Sequence, residues 1–161
     1  MIVVADTTPL RYLIAIDRDQ LLPALYGRVL IPPAVGLELS HESTPAAVRT
    51  WMASQPSWLD VRQPNQIPRL GIELGKGEEE AIALAEEVAA DLLLIDEWDA
   101  RREAARRSLR VVGTLRVLAD GAARGLADLE ESFRRLRQTN FRVHPELLEA
   151  LLKEQQSGKP K

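Results

Sequence analysis

The sequence predicts a three-layer α/β fold, with helices on both faces of a central, mainly parallel sheet. Three observations predict it. Short apolar runs of strand length, "MIVVA", "RVLIP", "WLDVR", "LLLI" and "VVG", alternate with longer segments in which apolar residues recur at helical spacing. Two of these runs stop on carboxylates, Asp6 and Asp96, which is where open parallel sheets place their ligand crevices. The chain has 161 residues, 45 % hydrophobic and 28 % charged, with a net charge of -3. That composition suits one globular domain able to bury a core without staples.

In chain order, "MIVVA" reads as a buried strand and "TPLRYLIAI" as a helix with Pro9 in its first turn. "DRDQLLPALYG" reads as a loop and short helix ending at Gly27, and "RVLIP" as a second strand stopped by Pro32 and Pro33. A helix follows through "AVGLELSH". "STPAAVRTWMAS" is another, with Ser43 or Thr44 expected as its cap. "WLDVR" suits a strand, and the breaker-rich "QPNQIPRLGIELGKG" a loop. "GEEEAIALAEEVAAD" is a helix with acids in its first turn and Ala81, Ile82, Leu84, Ala85 and Val88 toward the core. Next come the strand "LLLI", a basic helix "DARREAARRSLR", the short strand "VVG" and the helix "TLRVLADGAARG". Two amphipathic helices, "LADLEESFRRLRQ" and "PELLEALLKEQQ", close the chain. The expected division is one domain over residues 1–156, with a core to about 120, a helical extension over 121–156 and a frayed tail over 157–161.

Composition excludes several chemistries. With no cysteine, disulfides, thiolate metal sites and cysteine nucleophiles are absent together. No apolar run reaches membrane-spanning length and the start lacks a signal-peptide pattern, so a cytoplasmic location is expected. There is no nucleophile elbow and no Gly-rich phosphate loop. His41 and His144 lie far apart in different contexts, which argues against histidine acid–base catalysis. The single Glu-x-x-His of Glu38 and His41 lacks the second motif that a di-iron site needs. A phosphotransfer aspartate is disfavoured too: Asp6, Thr7, Thr8 is not Asp-x-Asp, and no lysine lies between Leu109 and Arg137.

What remains is a set of acids. Parallel neighbours would bring Asp6 and Asp96 to one sheet edge, Glu38 follows the second strand on its helix, and Glu78 opens the helix leading into "LLLI". Four carboxylates without compensation would repel and take up protons. A hard divalent ion such as Mg²⁺ or Mn²⁺ resolves that, since it prefers oxygen ligands. "GEEE" leaves Glu78, Glu79 and Glu80 as alternatives for the inward acid, with Glu78 favoured by its place at the helix start.

Asp6 in "VVADTTPL", Glu38 in "PPAVGLEL", Glu78 in "GEEEAIALA" and Asp96 in "LLLIDEWDAR" together resemble the PIN domain, including its VapC-like toxin branch, over about residues 1–120. The resemblance implies a Mg²⁺- or Mn²⁺-dependent ribonuclease cutting single-stranded RNA. It also implies a homodimer and often a cognate antitoxin. It assigns Asp6, Glu38, Glu78 and Asp96 to the acidic pocket, Asp99 to an auxiliary acid and Thr8 to the hydroxyl after the first aspartate. The chain departs from the pattern with Glu78 where an aspartate is common, and with Leu94 and Ile95 before Asp96 where the family often has Thr-x-Asp. A non-catalytic PIN-like module binding RNA or protein is the alternative.

Each residue also has a plainer reading. Asp6 and Asp96 could cap the helices that follow them, Glu38 could be a solvated surface acid, and the glutamates after Gly77 could complement the helix dipole. Trp98 is expected in core or interface packing, with base stacking as the alternative. Arg101, Arg102, Arg106, Arg107 and Arg110 form either a salt-bridged helix face or a phosphate track, with Arg101 and Arg102 nearest the acids.

Overall fold

The apolar runs pair side by side in one direction. In the computed structural model, which describes residues 1–70 and 72–158, the strands are β1 (Val3–Ala5), β2 (Val29–Ile31), β3 (Leu59–Val61), β4 (Leu92–Leu94) and β5 (Val111–Val112). They form one sheet in the order β3-β2-β1-β4-β5, and every pairing is parallel. Val4 lies opposite Leu30 on one side and Leu93 on the other.

Nine helices surround the sheet among the described residues: α1 (Thr7–Ala15), α2 (Leu21–Tyr26), α3 (Pro33–Leu39), α4 (Ala46–Ala53), α5 (Lys76–Glu87), α6 (Trp98–Arg106), α7 (Thr114–Ala123), α8 (Leu129–Arg137) and α9 (Pro145–Gly158). The strand pleat divides the core between the two faces. Val3, Ala5, Leu92 and Leu94 pack against α1, α2, α7 and α8, centred on Leu10, Leu22, Leu118 and Phe133. Val4, Leu93 and Ile95 point the other way, onto Ile82 and Leu84 of α5 and Ala100 and Ala104 of α6. These are the three layers that the alternation of short runs and helices predicts.

Local expectations differ in three places. Neither Ser43 nor Thr44 caps α4: Pro45 takes the N-cap position, and the Thr44 hydroxyl donates instead to the Glu38 carbonyl at 2.7 Å. Of the two packing places expected for Trp98, core or interface, the core is ruled out, since it is 69 % exposed. Its helix buries Ala100 and Ala104, and a residue two positions before Ala100 points to the opposite side at 100° per residue. Lastly, α9 continues to Gly158, so Ser157 and Gly158 extend the helix, while Lys159, Pro160 and Lys161 of the expected tail lie outside the described residues.

The C-terminal helices are part of the main core. Leu129, Phe133 and Leu136 of α8 and Leu148 and Leu151 of α9 are buried with the sheet residues. Phe133→Ala is therefore expected to cost about 3–5 kcal/mol in urea unfolding; a loss under about 1 kcal/mol would mean that α8 folds outside the cooperative unit.

Candidate active site at the sheet switch point

The strand order reverses between β1 and β4: β1 continues to β2 on one side, and the later strands add on the other. A parallel sheet opens a crevice at the C-terminal ends of such a pair. Asp6 follows β1 directly and its amide donates to the Leu94 carbonyl of β4 at 2.8 Å. Asp96 comes two residues after β4. Both acids therefore stand at the mouth of the crevice, as the sequence argument expects from strand ends.

Asp6 is 3 % exposed. It occupies the N-cap position of α1, yet its side chain makes no capping hydrogen bond, so the plain capping reading does not account for it. Its Oδ1 is buried without a hydrogen-bond partner. Its pKa is raised to about 7, first by burial and then by the charges of Glu78, Glu38 and Asp96, with the Thr7 amide opposing the rise. An unpaired, desolvated carboxylate facing three others is costly unless something cationic or a proton offsets it.

The other acids are held around it. The Glu38 side chain lies on the exposed side of α3, but it is not merely solvated: its Oε2 accepts from the Thr7 hydroxyl and its Oε1 from the Gly77 amide at 3.2 Å. A Cβ on Gly77 would stand 2.6 Å from that oxygen, so a side chain here would displace the Glu38 carboxylate from the Gly77 amide. Glu78 Oε1 accepts from the Gly75 amide at 3.0 Å. Its pKa is raised by burial first, against the Gly75 amide, with Glu97, Glu38 and Asp99 adding to the rise. Glu80, in contrast, is buried and accepts from the Ala34 amide at 3.1 Å, which ties α5 to the start of α3. Of the three glutamates, Glu78 is the one whose charge couples to Asp6.

Asp96 does not cap α6. Glu97 does so, accepting from the Ala100 amide at 2.8 Å. Asp96 instead accepts from the Thr114 amide at 2.8 Å and the Thr114 hydroxyl at 2.6 Å, at the first residue of α7. Burial raises its pKa while these two bonds and the charge of Arg101 oppose the rise. A Cβ on Gly113 would lie 2.7 Å from Arg101 Nη1 and 2.8 Å from Asp96 Oδ1, so this glycine makes room for the acid and its neighbouring cation.

The remaining candidates separate. Asp99 is exposed in the first turn of α6, close enough to raise the pKa of Glu78. Thr8 and Arg101 line a cavity of about 710 Å³ that begins at Asp96 and Glu97, whereas Arg102 is exposed outside its lining. The arginine run is not one track. Arg107 bridges Glu86 at 2.7 Å and Glu103 at 3.1 Å, Arg106 lies 3.7 Å from Glu103, and Arg110 precedes β5 at the opposite sheet edge. Sequence reasoning missed Thr7 and Thr114. Thr7 carried the same hydroxyl signal as its neighbour Thr8, and Thr114 was signalled only by following a short strand that ends at this edge.

No group of three or more His, Cys, Asp or Glu side chains among the described residues converges tightly enough to encircle an ion as the side chains stand. A small hard ion does not need one, since one or two carboxylates plus water and phosphate are its usual shell. The unpartnered Asp6 Oδ1 and an all-oxygen donor set fit such an ion.

The family model described as DUF3368: PIN domain matches residues 2–157. No curated protein matches the chain in sequence. Among solved structures, a PilT N-terminus domain protein, SSO1118 from the hyperthermophilic archaeon Sulfolobus solfataricus P2, is similar with a TM-score of 0.54 and 17 % identity over 74 % of this chain and 92 % of that one. At that identity the likeness concerns the fold.

Asp6 gives a signed pH effect. Its folded pKa lies above its ordinary value of 3.8, so the folded state binds the proton more tightly and the ion-free protein loses stability as pH rises from about 4 to about 7. Asp6→Asn should therefore raise the melting temperature in EDTA at pH 8 and change it little at pH 4; an equal shift at both pH values would contradict the burial account.

Proposed function

Because the chain belongs to the PIN-domain family, a family of nucleases, we propose that it is a divalent-metal-dependent endoribonuclease acting on single-stranded RNA. The observation that carries this reading is the buried Asp6 carboxylate, one oxygen unpartnered, coupled to Glu38, Glu78 and Asp96 at the switch point of a parallel sheet.

Asp6 and Asp96 would hold Mg²⁺ or Mn²⁺, with Glu38 and Glu78 completing the shell directly or through water and Asp99 at its margin. Such an ion, when bound, lowers the pKa of a water and offsets charge on a phosphodiester. The chain's own groups prepare the site. Thr114 fixes the Asp96 carboxylate through two hydrogen bonds, so its free lone pairs point in a set direction. Thr7 and the Gly77 amide do the same for Glu38. Arg101, beside Asp96, would meet a phosphate oxygen, and Thr8 lines the same cavity. The arrangement requires no side-chain nucleophile.

The narrower form of the proposal is a toxin held by a cognate antitoxin and acting as a homodimer; the VapC-like resemblance of the acid motifs supports it. No helix among the described residues is long and apolar enough to cross a membrane.

Cleavage of a mixed single-stranded RNA pool should require Mn²⁺ or Mg²⁺ and stop with EDTA. Asp6→Asn and Asp96→Asn should each lower the rate by at least about a hundredfold, since even groups that only orient metal ligands cost 10–100-fold. Full activity in both variants would refute the mechanism, and metal binding without cleavage of any RNA would favour the non-catalytic binding module.

A further inference from the structure

The cavity that starts at Asp96 is not closed by the sheet and its flanking helices alone. It is also lined by the segment between α8 and α9, from Asn140 to His144, and by Leu147 and Leu151 of α9. Tyr12 of α1 joins the two sides. Its hydroxyl donates to Asn140 Oδ1 at 2.6 Å, and its ring meets that of Phe141 edge-on, with centroids 4.9 Å apart at 74°. Both rings are half-buried, and both line the cavity.

Charge is distributed unevenly around this space. Asp96 and Glu97 line it beside the acidic site with Arg101 next to Asp96, and Arg116 and Arg142 also line it. Arg116 is engaged by Glu154 at 3.2 Å and by Asp120 at 3.8 Å. Arg142 has no ion-pair partner among the described residues, and Arg101 stands beside Asp96, whose charge it feels, without a direct salt bridge to it. A concave site of this volume with an aromatic wall, one guanidinium free of salt bridges at Arg142 and a second beside Asp96 at Arg101 matches the needs of one nucleotide: rings for a base, forks for its phosphate. An apolar occupant would leave the arginines unused, and an acidic peptide would leave the rings unused.

Resting on the nuclease reading above, we infer that this cleft is a nucleotide subsite, completed by the segment between α8 and α9, which receives the residue of the RNA strand next to the scissile phosphate. Phe141 and Tyr12 form the base wall, and Arg101 and Arg142 take phosphate oxygens. The C-terminal helices then contribute to substrate selection as well as to the core.

The test is binding of a fluorescein-labelled single-stranded RNA hexamer in EDTA, as a function of salt, alongside Mn²⁺-dependent cleavage by the full-length wild type. Arg142→Ala should weaken binding several-fold and reduce the slope of log affinity against log salt by about 0.7, the loss of one phosphate contact on a single strand. Phe141→Ala should weaken binding about tenfold with little change in salt slope, and Phe141→Trp should restore it. Arg28→Ala, which alters an exposed cation paired with Asp60, should bind like wild type. If wild type binds and cleaves while Arg142→Ala and Phe141→Ala do the same, the subsite is refuted and the nuclease reading stands. The subsite also fails if Arg28→Ala weakens binding as much as Arg142→Ala, because the effect is then general electrostatics. A wild type that neither binds nor cleaves RNA overturns both readings.

Discussion

The constraint on which the structure depends is the crowding of carboxylates at the C-terminal ends of β1 and β4. Asp6 is withdrawn from water, keeps one oxygen without a partner and feels three further acids. A fold selected for stability alone would place an apolar residue there, since an unpaired buried charge is among the most expensive features a protein can carry. The sheet tolerates it because neighbouring groups share the load: Thr114 on Asp96, Thr7 and the Gly77 amide on Glu38, the Gly75 amide on Glu78. Asp6 alone is left for a ligand or a proton.

Two close approaches follow from the same constraint. The start of α5 meets the Glu38 carboxylate where residue 77 has no side chain, and the β5 to α7 connection meets Asp96 and Arg101 where residue 113 has none, so a side chain at either position would displace those groups. Between them these contacts fix the acids from opposite sides of the crevice. Elements remote from the site serve it by rigidity. The Arg107 bridge to Glu86 ties the end of α6 to α5, and Glu80 ties α5 to the start of α3. These ties link the elements that carry the acids, as positioning a phosphodiester requires.

Much of this was legible before any coordinates. A strand-length apolar run that ends on an acid places that acid at a sheet edge, and parallel pairing places two such acids together; Asp6 and Asp96 needed nothing more. Glu78 was readable from its position in the first turn of a helix, because Glu80, two residues later, turns about 200° away and becomes the buried cap of α3. Other parts were not legible because they depend on register between distant segments. Thr114 meets Asp96 only through the pairing of β4 with β5. The choice between Thr7 and Thr8 depends on a rotation of about 100° that residue type cannot reveal. The arginine run looked uniform in sequence, yet helix geometry sends Arg101 into the cleft, Arg107 onto acids and Arg102 into solvent. Trp98 failed the general expectation that large aromatics are buried, since the core-facing stripe of its helix is made of alanines. The segment over 140–144 has no periodicity, so nothing local could assign it a wall of a cleft.

The central claim is that the buried carboxylates form an ion site. Crystals soaked in Mn²⁺ above pH 7.5 and measured at the manganese absorption edge test it most directly. The account expects an anomalous peak in contact with an Asp6 oxygen and with at least one of Asp96, Glu38 and Glu78, absent from Asp6→Asn crystals. Manganese found only at exposed acids such as Asp99, with Asp6 unliganded, would contradict it.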